Sequence, residues 1–166
     1  MVDLVFGNNY NSLTKEFSMD YKLLAEQVSA ITSNVRNNIT NYANASALLF
    51  ESLTDINWAG FYIANGDVLE LGPFQGKVAC TSIPEGKGVC GTAFSLKKTI
   101  VVPNVHEFEG HIACDSASNS EIVIPVVVND SFIAVLDIDS TKYDRFSNED
   151  KEGLETFVRA LEHNLT

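Results

Sequence analysis

The stretch Ile56-Asn-Trp-Ala-Gly-Phe-Tyr-Ile63, followed by Asn65-Gly66 and then Val68-Leu-Glu-Leu71, decides the class of fold. Residues 56–63 are aromatic and β-prone. Asn-Gly between two such runs is the strongest short-range hairpin signal, because both residues tolerate the positive φ that a tight two-residue turn demands. The sheet therefore begins antiparallel. A second hairpin is predicted downstream from Ser120–Val128 and Ser131–Ile138 around Asn129-Asp130, with Pro125 marking an edge, a bulge or a strand end.

Upstream of the first hairpin, Tyr21, Leu24, Val28 and Ile31 recur along one helical stripe within residues 18–34, with Ser18 as the expected N-cap. A second helix is predicted over Thr40–Leu53. Between the hairpins, residues 72–91 hold five glycines and two prolines and read as turns with a short strand at Val78–Ile83. A short helix and a strand at Ile100–Val102 follow, and then Pro103–Asn119 shows neither period. Such a patternless loop inside a compact domain is usually functional. The last helix starts at Ser147, with Asp150 three residues on as a capping-box variant, and runs through Leu154, Phe157, Val158 and Leu161. Helices, then hairpins, then a terminal helix make an α+β domain with a mainly antiparallel sheet, since the strand spacings leave little room for crossovers.

At 166 residues and 45% apolar content, the chain is expected to form one domain over residues 1–166, with 1–17 a poorly ordered lead-in. Eleven Lys and Arg against twenty-two Asp and Glu give a net charge of −11, which repels phosphate backbones and anionic lipid. Nucleic acid and membrane partners are excluded on that ground. No basic leader segment opens the chain, and the longest apolar run, Ile122–Val128, is far short of a membrane span, so a cytoplasmic location is expected.

All three cysteines, Cys80, Cys90 and Cys114, fall in one region. An odd set of thiols suits a regenerable redox cycle in a reducing compartment, where one thiol reacts and another restores it. Their spacings of ten and twenty-four positions lack the close pairs of a zinc site, even with His111 as a fourth ligand. Cys114 lies in the polar loop beside His111 and Asp115. Cys90 stands just ahead of the short helix, where partial positive charge favours thiolate. Cys80, after Val78-Ala79, reads as strand-borne. These contexts leave Cys114 and Cys90 as rival nucleophiles.

Asp137 and Asp139, two apart on a strand, share one sheet face while Leu136 and Ile138 face the other way. Two like charges there need a cation, or one takes up a proton. Glu121 sits where the neighbouring strand begins. Trp58, Gly60 and Tyr62 line one face of the first strand, an aromatic pair around a position with no side chain.

Taken together, Asn57-Trp-Ala-Gly-Phe-Tyr62, Leu71-Gly-Pro-Phe-Gln-Gly-Lys-Val-Ala-Cys80, Gly86-Lys-Gly-Val-Cys-Gly91, Gly110-His-Ile-Ala-Cys-Asp-Ser-Ala-Ser-Asn-Ser-Glu121 and Val135-Leu-Asp-Ile-Asp-Ser140 resemble the free methionine-(R)-sulfoxide reductases, which are stand-alone GAF domains. The resemblance implies a six-stranded antiparallel sheet with helices on its faces, and free methionine-(R)-sulfoxide as substrate. It also implies Cys114 as nucleophile, Cys80 as the main resolving thiol and Cys90 as an additional thiol. Glu121, Asp137 and Asp139 match the family's substrate-binding carboxylates, and Trp58 with Tyr62 its pocket for the sulfoxide methyl. A thioredoxin-type dithiol is the implied reductant, a homodimer the implied assembly, and no metal or organic cofactor is required. Backbone N–H groups of Ser116–Ser120 are expected to hold the substrate carboxylate. The competing class is a GAF sensor of a small ligand or of redox state, which the three thiols and the lack of room for an output domain argue against.

Overall fold

The computed structural model describes residues 18–112 and 114–166; the lead-in expected over residues 1–17 lies outside them. Helices α1 (Tyr21–Thr32) and α2 (Asn38–Ser52) precede strands β1 (Trp58–Asn65), β2 (Val68–Gly76) and β3 (Ser82–Pro84). Helix α3 (Gly88–Leu96), β4 (Ile100–Val102), one 3-10 turn (Val105–Glu107), β5 (Ser120–Val128), β6 (Ser131–Ser140) and α4 (Asn148–Glu162) complete the order. The six strands form one sheet in the order β3-β2-β1-β6-β5-β4, and every neighbouring pair is antiparallel.

The two hairpins form with turns that match their chemistry. Asn129 and Asp130 both take positive φ, at 50° and 63°, as a type I′ turn requires. The first turn is shifted by one residue: Asn65 still pairs with Val68, so Gly66-Asp67 makes the bend and only Gly66 has positive φ. Strand β2 also runs on to Gly76, through the Gly72-Pro73 pair that reads as a turn. Its outer neighbour β3 pairs only with Val68–Glu70, so the missing N–H of Pro73 leaves no ladder bond unmade there. Pro125 is accommodated in the same way, because β4 reaches only Val123 on β5.

Helix α1 is capped by Asp20 rather than Ser18, the Asp20 carboxylate accepting from Leu23 N–H at 2.9 Å, and Ile31 at the end of its stripe is exposed. Helix α2 starts at Asn38 behind an Asn37 cap, two residues earlier than its apolar pattern suggests. At α4 the capping box forms in both directions between Ser147 and Asp150. Tyr21 hydrogen-bonds Asp150, and its ring lies where a side chain at residue 153 would sit, so Gly153 lets α1 and α4 approach closely.

Alternation along the strands divides the sheet into two faces of different character. One face presents Ala59, Phe61, Ile122, Ile124, Leu136 and Ile138 to α1, α2 and α4, and is apolar apart from the buried Ser120–Ser140 pair at its end. Burying each large side chain there contributes ~1.5–3 kcal/mol. The other face presents Trp58, Tyr62, Val123 and Val135 to α3 and the loops, and it is the face that also carries Glu121, Asp137 and Asp139. The stable side of the sheet thus supports a reactive side built on the same strands.

Gly60 is held to its size by this second face. A β-carbon there would lie 2.6 Å from the Trp58 ring and 2.8 Å from the Phe74 α-carbon. Trp58 stacks on Phe74 and Tyr62 across that gap, with centroids 5.2 and 5.8 Å apart. Gly60→Ala should therefore lower stability by ~1–3 kcal/mol, read as a shift of the denaturant midpoint; an unchanged midpoint would show the stack free to move aside.

Candidate active site

Strand register assembles the site from segments far apart in sequence. Trp58 lies opposite Asp139, and Asp139 opposite Glu121, so one row across three strands carries an indole and two carboxylates. The next row carries Gly60, Asp137 and Val123. Directly opposed residues share a face, so the two rows are neighbours on the α3 side of the sheet. Helix α3 then places Cys90, in its first turn, over the carboxylates, and the Cys90 thiol lies 3.9 Å from Glu121 Oε1.

The loop between β4 and β5 supplies the remaining wall and brings Cys114 in. Its hydrogen bonds explain how a segment without regular structure is held. Asn57, just before β1, donates from Nδ2 to Asp115 Oδ2 at 3.2 Å and to Ser118 Oγ at 3.0 Å. Asp115 Oδ1 accepts from Ala117 N–H, and Lys77 Nζ stands 3.8 Å from Asp115 Oδ2. The Ala117 N–H, then burial working against it and Lys77 beside it, leave the Asp115 carboxyl below its ordinary range. In this disulfide form, three of the N–H groups within Ser116–Ser120 that are expected to hold a substrate carboxylate have partners inside the protein. Ala117 and Ser118 donate to Asp115, and Asn119 to Ser140 O, which closes the loop on itself and on β6.

Cys80 and Cys114 are joined by a disulfide, with α-carbons 5.4 Å apart and 34 positions between them. Cys80 is not on a strand; it lies in the link between β2 and β3. That link hangs on the aromatic pair, since Trp58 Nε1 donates to Lys77 O at 3.1 Å and Tyr62 OH donates to Cys80 O at 3.0 Å. The two aromatic residues therefore do more than line a surface. They fix the backbone that carries one of the two bonded sulfurs.

The electrostatics of the site are those of buried anions without counter-ions. Glu121 is 6% exposed and Asp137 7%, and neither Asp137 nor Asp139 has an ion-pair partner among the described residues. Glu121 has only His111, whose Nε2 is 3.8 Å from Oε2. Burial raises Glu121 and Asp139 well above the ordinary carboxylate range, with Asp137 next to them adding repulsion. Burial pushes Asp137 up to about 7. Burial, reinforced by His106, lowers His111, so it offers little positive charge. Cys90 is the correction to the helix-terminus argument. Burial and the charges of Asp137 and Glu121 push its thiol well up, outweighing whatever the first turn of α3 supplies, and it stays protonated.

The enclosed space between Cys90, Cys114, His111 and the carboxylates is about 30 Å³, room for little more than one water or ion. A second small hollow, about 20 Å³, lies on the indole side between Trp58, Ala79 and Cys114. The spacing argument against a Cys80, Cys90, Cys114 and His111 zinc set stands alongside a different grouping, because Cys90, Glu121 and Asp137 place ligand atoms within 4.8 Å of one another. Asn57, which ties down the Cys114 loop, carries no local sequence signal for that role; its partners are 58 and 61 positions away. Among the described residues, no helix is long and apolar enough to cross a membrane.

Comparison with known proteins places this arrangement. The chain matches the GAF domain family over residues 24–165. It is 54% identical over 145 residues to the free methionine-R-sulfoxide reductase of Escherichia coli, covering 87% of this chain and 88% of that protein. It is 46% identical to the enzyme of the same name from Saccharomyces cerevisiae, over 92% of this chain and 89% of that protein. The reduced form of fRMsr of Staphylococcus aureus superposes with a TM-score of 0.87 at 49% identity, covering 90% of this chain and 97% of that one. Its complex with substrate superposes at 0.85 and 48%, with the same coverage.

Two measurements test the electrostatics. Asp137 holds its proton more tightly when folded, at about 7 against 3.8, so its share of stability is present in acid and is lost as pH rises through about 7. Asp137→Asn, which cannot ionise, should therefore raise the thermal midpoint near pH ~8, with the gain fading toward pH ~4. A gain that does not vary with pH would mean that Asp137 is neutralised by other means. Cys90, in the disulfide form, should react with iodoacetamide at least ~10-fold more slowly than in denaturant; equal rates would contradict its burial.

Proposed function

Because the chain belongs to the GAF domain family and, within it, to the free methionine-R-sulfoxide reductases, we propose that it reduces free L-methionine-(R)-sulfoxide to L-methionine by a thiol cycle. The single observation that carries this reading is the Cys80–Cys114 disulfide at the rim of the buried carboxylate cluster.

Cys114, as thiolate, attacks the sulfoxide sulfur while a neutral carboxyl protonates the departing oxygen. The protonated oxygen then passes from the methionine sulfur to the Cys114 sulfur as the transient bond between the two sulfurs breaks, so that methionine leaves as the thioether and Cys114 is left as a sulfenic acid. The Cys80 thiol then attacks that sulfur, water departs, and the disulfide closes. A thioredoxin-type dithiol reopens it by exchange, so each turnover converts one dithiol to a disulfide and releases one water. Glu121, Asp137 and Asp139 receive the substrate ammonium, the cation that their burial otherwise lacks. Trp58 and Tyr62 enclose the methyl group.

Cys90 serves as a reserve thiol rather than the attacking group, in keeping with its raised pKa and its place against the carboxylates. Val78, 89% exposed two residues ahead of Cys80, offers a reductant an apolar foothold beside the disulfide. A cavity of about 30 Å³ does not admit an amino acid, so the disulfide form is the state after product release, and reduction frees the Cys114 loop to reopen the pocket. The enzyme works in the cytoplasm as a homodimer. A groove of about 1160 Å³ along α1 and α4, remote from the carboxylates, is the surface offered to the second copy.

With free methionine-(R)-sulfoxide, thioredoxin, its reductase and NADPH, the chain should consume NADPH over many turnovers, and with the S epimer or peptide-bound sulfoxide hardly at all. Consumption no greater than that of Cys114→Ser would leave a sensor in place of an enzyme. In a single turnover, Cys114→Ser should release no methionine, while Cys80→Ser releases one equivalent and fails to recycle. If Cys90→Ser were the variant unable to release methionine, the nucleophile would be Cys90.

A further inference from the structure

The pocket floor joins a thiol to carboxylates in a way that an ammonium does not require. Cys90 Sγ and one carboxylate oxygen each from Glu121 and Asp137 lie within 4.8 Å of one another, and Cys90 is the free thiol of the described chain. Asp137 Oδ1 is buried with no hydrogen-bond partner, on a side chain that lines the same cavity. A buried, unpartnered carboxylate oxygen is costly unless a cation or donor reaches it. Among the described residues no lysine or arginine forms an ion pair with Glu121, Asp137 or Asp139.

We propose that Cys90, Glu121 and Asp137 form a binding site for one divalent cation of borderline softness, of the Zn²⁺ class. The sulfur ligand selects against Mg²⁺ and Ca²⁺, which take oxygen, and the two carboxylates select against purely thiophilic ions. A tetrahedral site with sulfur and oxygen ligands has edges of ~3.5 Å, and the Cys90–Glu121 edge already measures 3.9 Å. The cavity of about 30 Å³ has room for the ion. His111, 3.8 Å from the other Glu121 oxygen, or a water takes the fourth position. On binding, the Cys90 S–H bond and any O–H bond on the Glu121 and Asp137 carboxyls break, the protons pass to water, and sulfur and oxygen lone pairs form the bonds to the metal; nothing is oxidised or reduced.

The ion is an inhibitor of turnover rather than a participant in it, because it occupies the carboxylates that would hold the substrate ammonium. That consequence rests on the sulfoxide reading; metal binding itself does not.

The test uses the disulfide form, in which the Cys80 and Cys114 sulfurs are already bonded to each other and Cys90 is the available thiol. Titration with Co²⁺ should produce a near-ultraviolet thiolate-to-cobalt band that saturates at one ion per chain and is bleached by Zn²⁺. Cys90→Ser should lose the band, and Asp137→Asn should weaken Zn²⁺ binding by at least ~10-fold, the scale seen even for loss of outer-sphere partners. Far-UV circular dichroism checks that both variants fold, with Glu121→Gln as the replacement if either does not. Absence of the band in the parent protein, or unchanged affinity in the folded variants, overturns the site. No sulfoxide enters the experiment, so failure of the reductase reading leaves its outcome untouched.

Discussion

Two carboxylates buried on one face of a sheet, Glu121 and Asp137, with the half-buried Asp139 beside them and, among the described residues, no basic side chain paired to them except His111, are the constraint from which the rest of this structure follows. Such a cluster is stable only when it is protonated, solvated or matched by an incoming cation. The raised pKa values of Glu121, Asp137 and Asp139 are the first of these solutions. They hold carboxyl groups in the neutral form close to neutral pH, the form that the proposed protonation of the sulfoxide oxygen needs. The same burial suppresses the Cys90 thiolate, in keeping with the proposal that Cys114, on the neighbouring loop, is the attacking group.

The apolar face makes that strain tolerable. Helices α1, α2 and α4 bury a continuous aliphatic and aromatic layer against β1, β5 and β6, and the same three strands carry the polar rows on their reverse. Because strand side chains alternate, the register that packs Ile138, Leu136 and Phe61 inward automatically turns Asp139, Asp137 and Gly60 to the other side. A slip of one residue would put carboxylates into the main core. Correct packing of the larger core therefore specifies the site, and the GAF domains of phosphoenolpyruvate-protein phosphotransferases, at 14–15% identity, share the fold alone.

The hairpins, the terminal helix and its capping box, and the shared face of Asp137 and Asp139 were legible because each depends on neighbours within a few positions. The errors lie where long-range pairing takes over. Gly72-Pro73 has the composition of a turn, yet it is a bulge within β2, opposite Phe61, because the pairing with β1 resumes at Phe74 while β3 stops short. Cys90 was misjudged from its helix because the anions that determine its protonation come from β5 and β6, 31 and 47 positions away. The role of Asn57 in holding the Cys114 loop had no local signal at all. Family resemblance, not spacing, singled out Cys80 as the partner of Cys114.

The hydrogen bonds from Trp58 and Tyr62 to the carbonyls of Lys77 and Cys80 make one mechanical unit of the aromatic wall and the Cys80 end of the disulfide. A wall that moves to admit a bulkier group would drag the second thiol with it. Under the proposed cycle, substrate range and rate of renewal are mechanically coupled in this scaffold, because any change to the aromatic pair also re-seats the β2–β3 link.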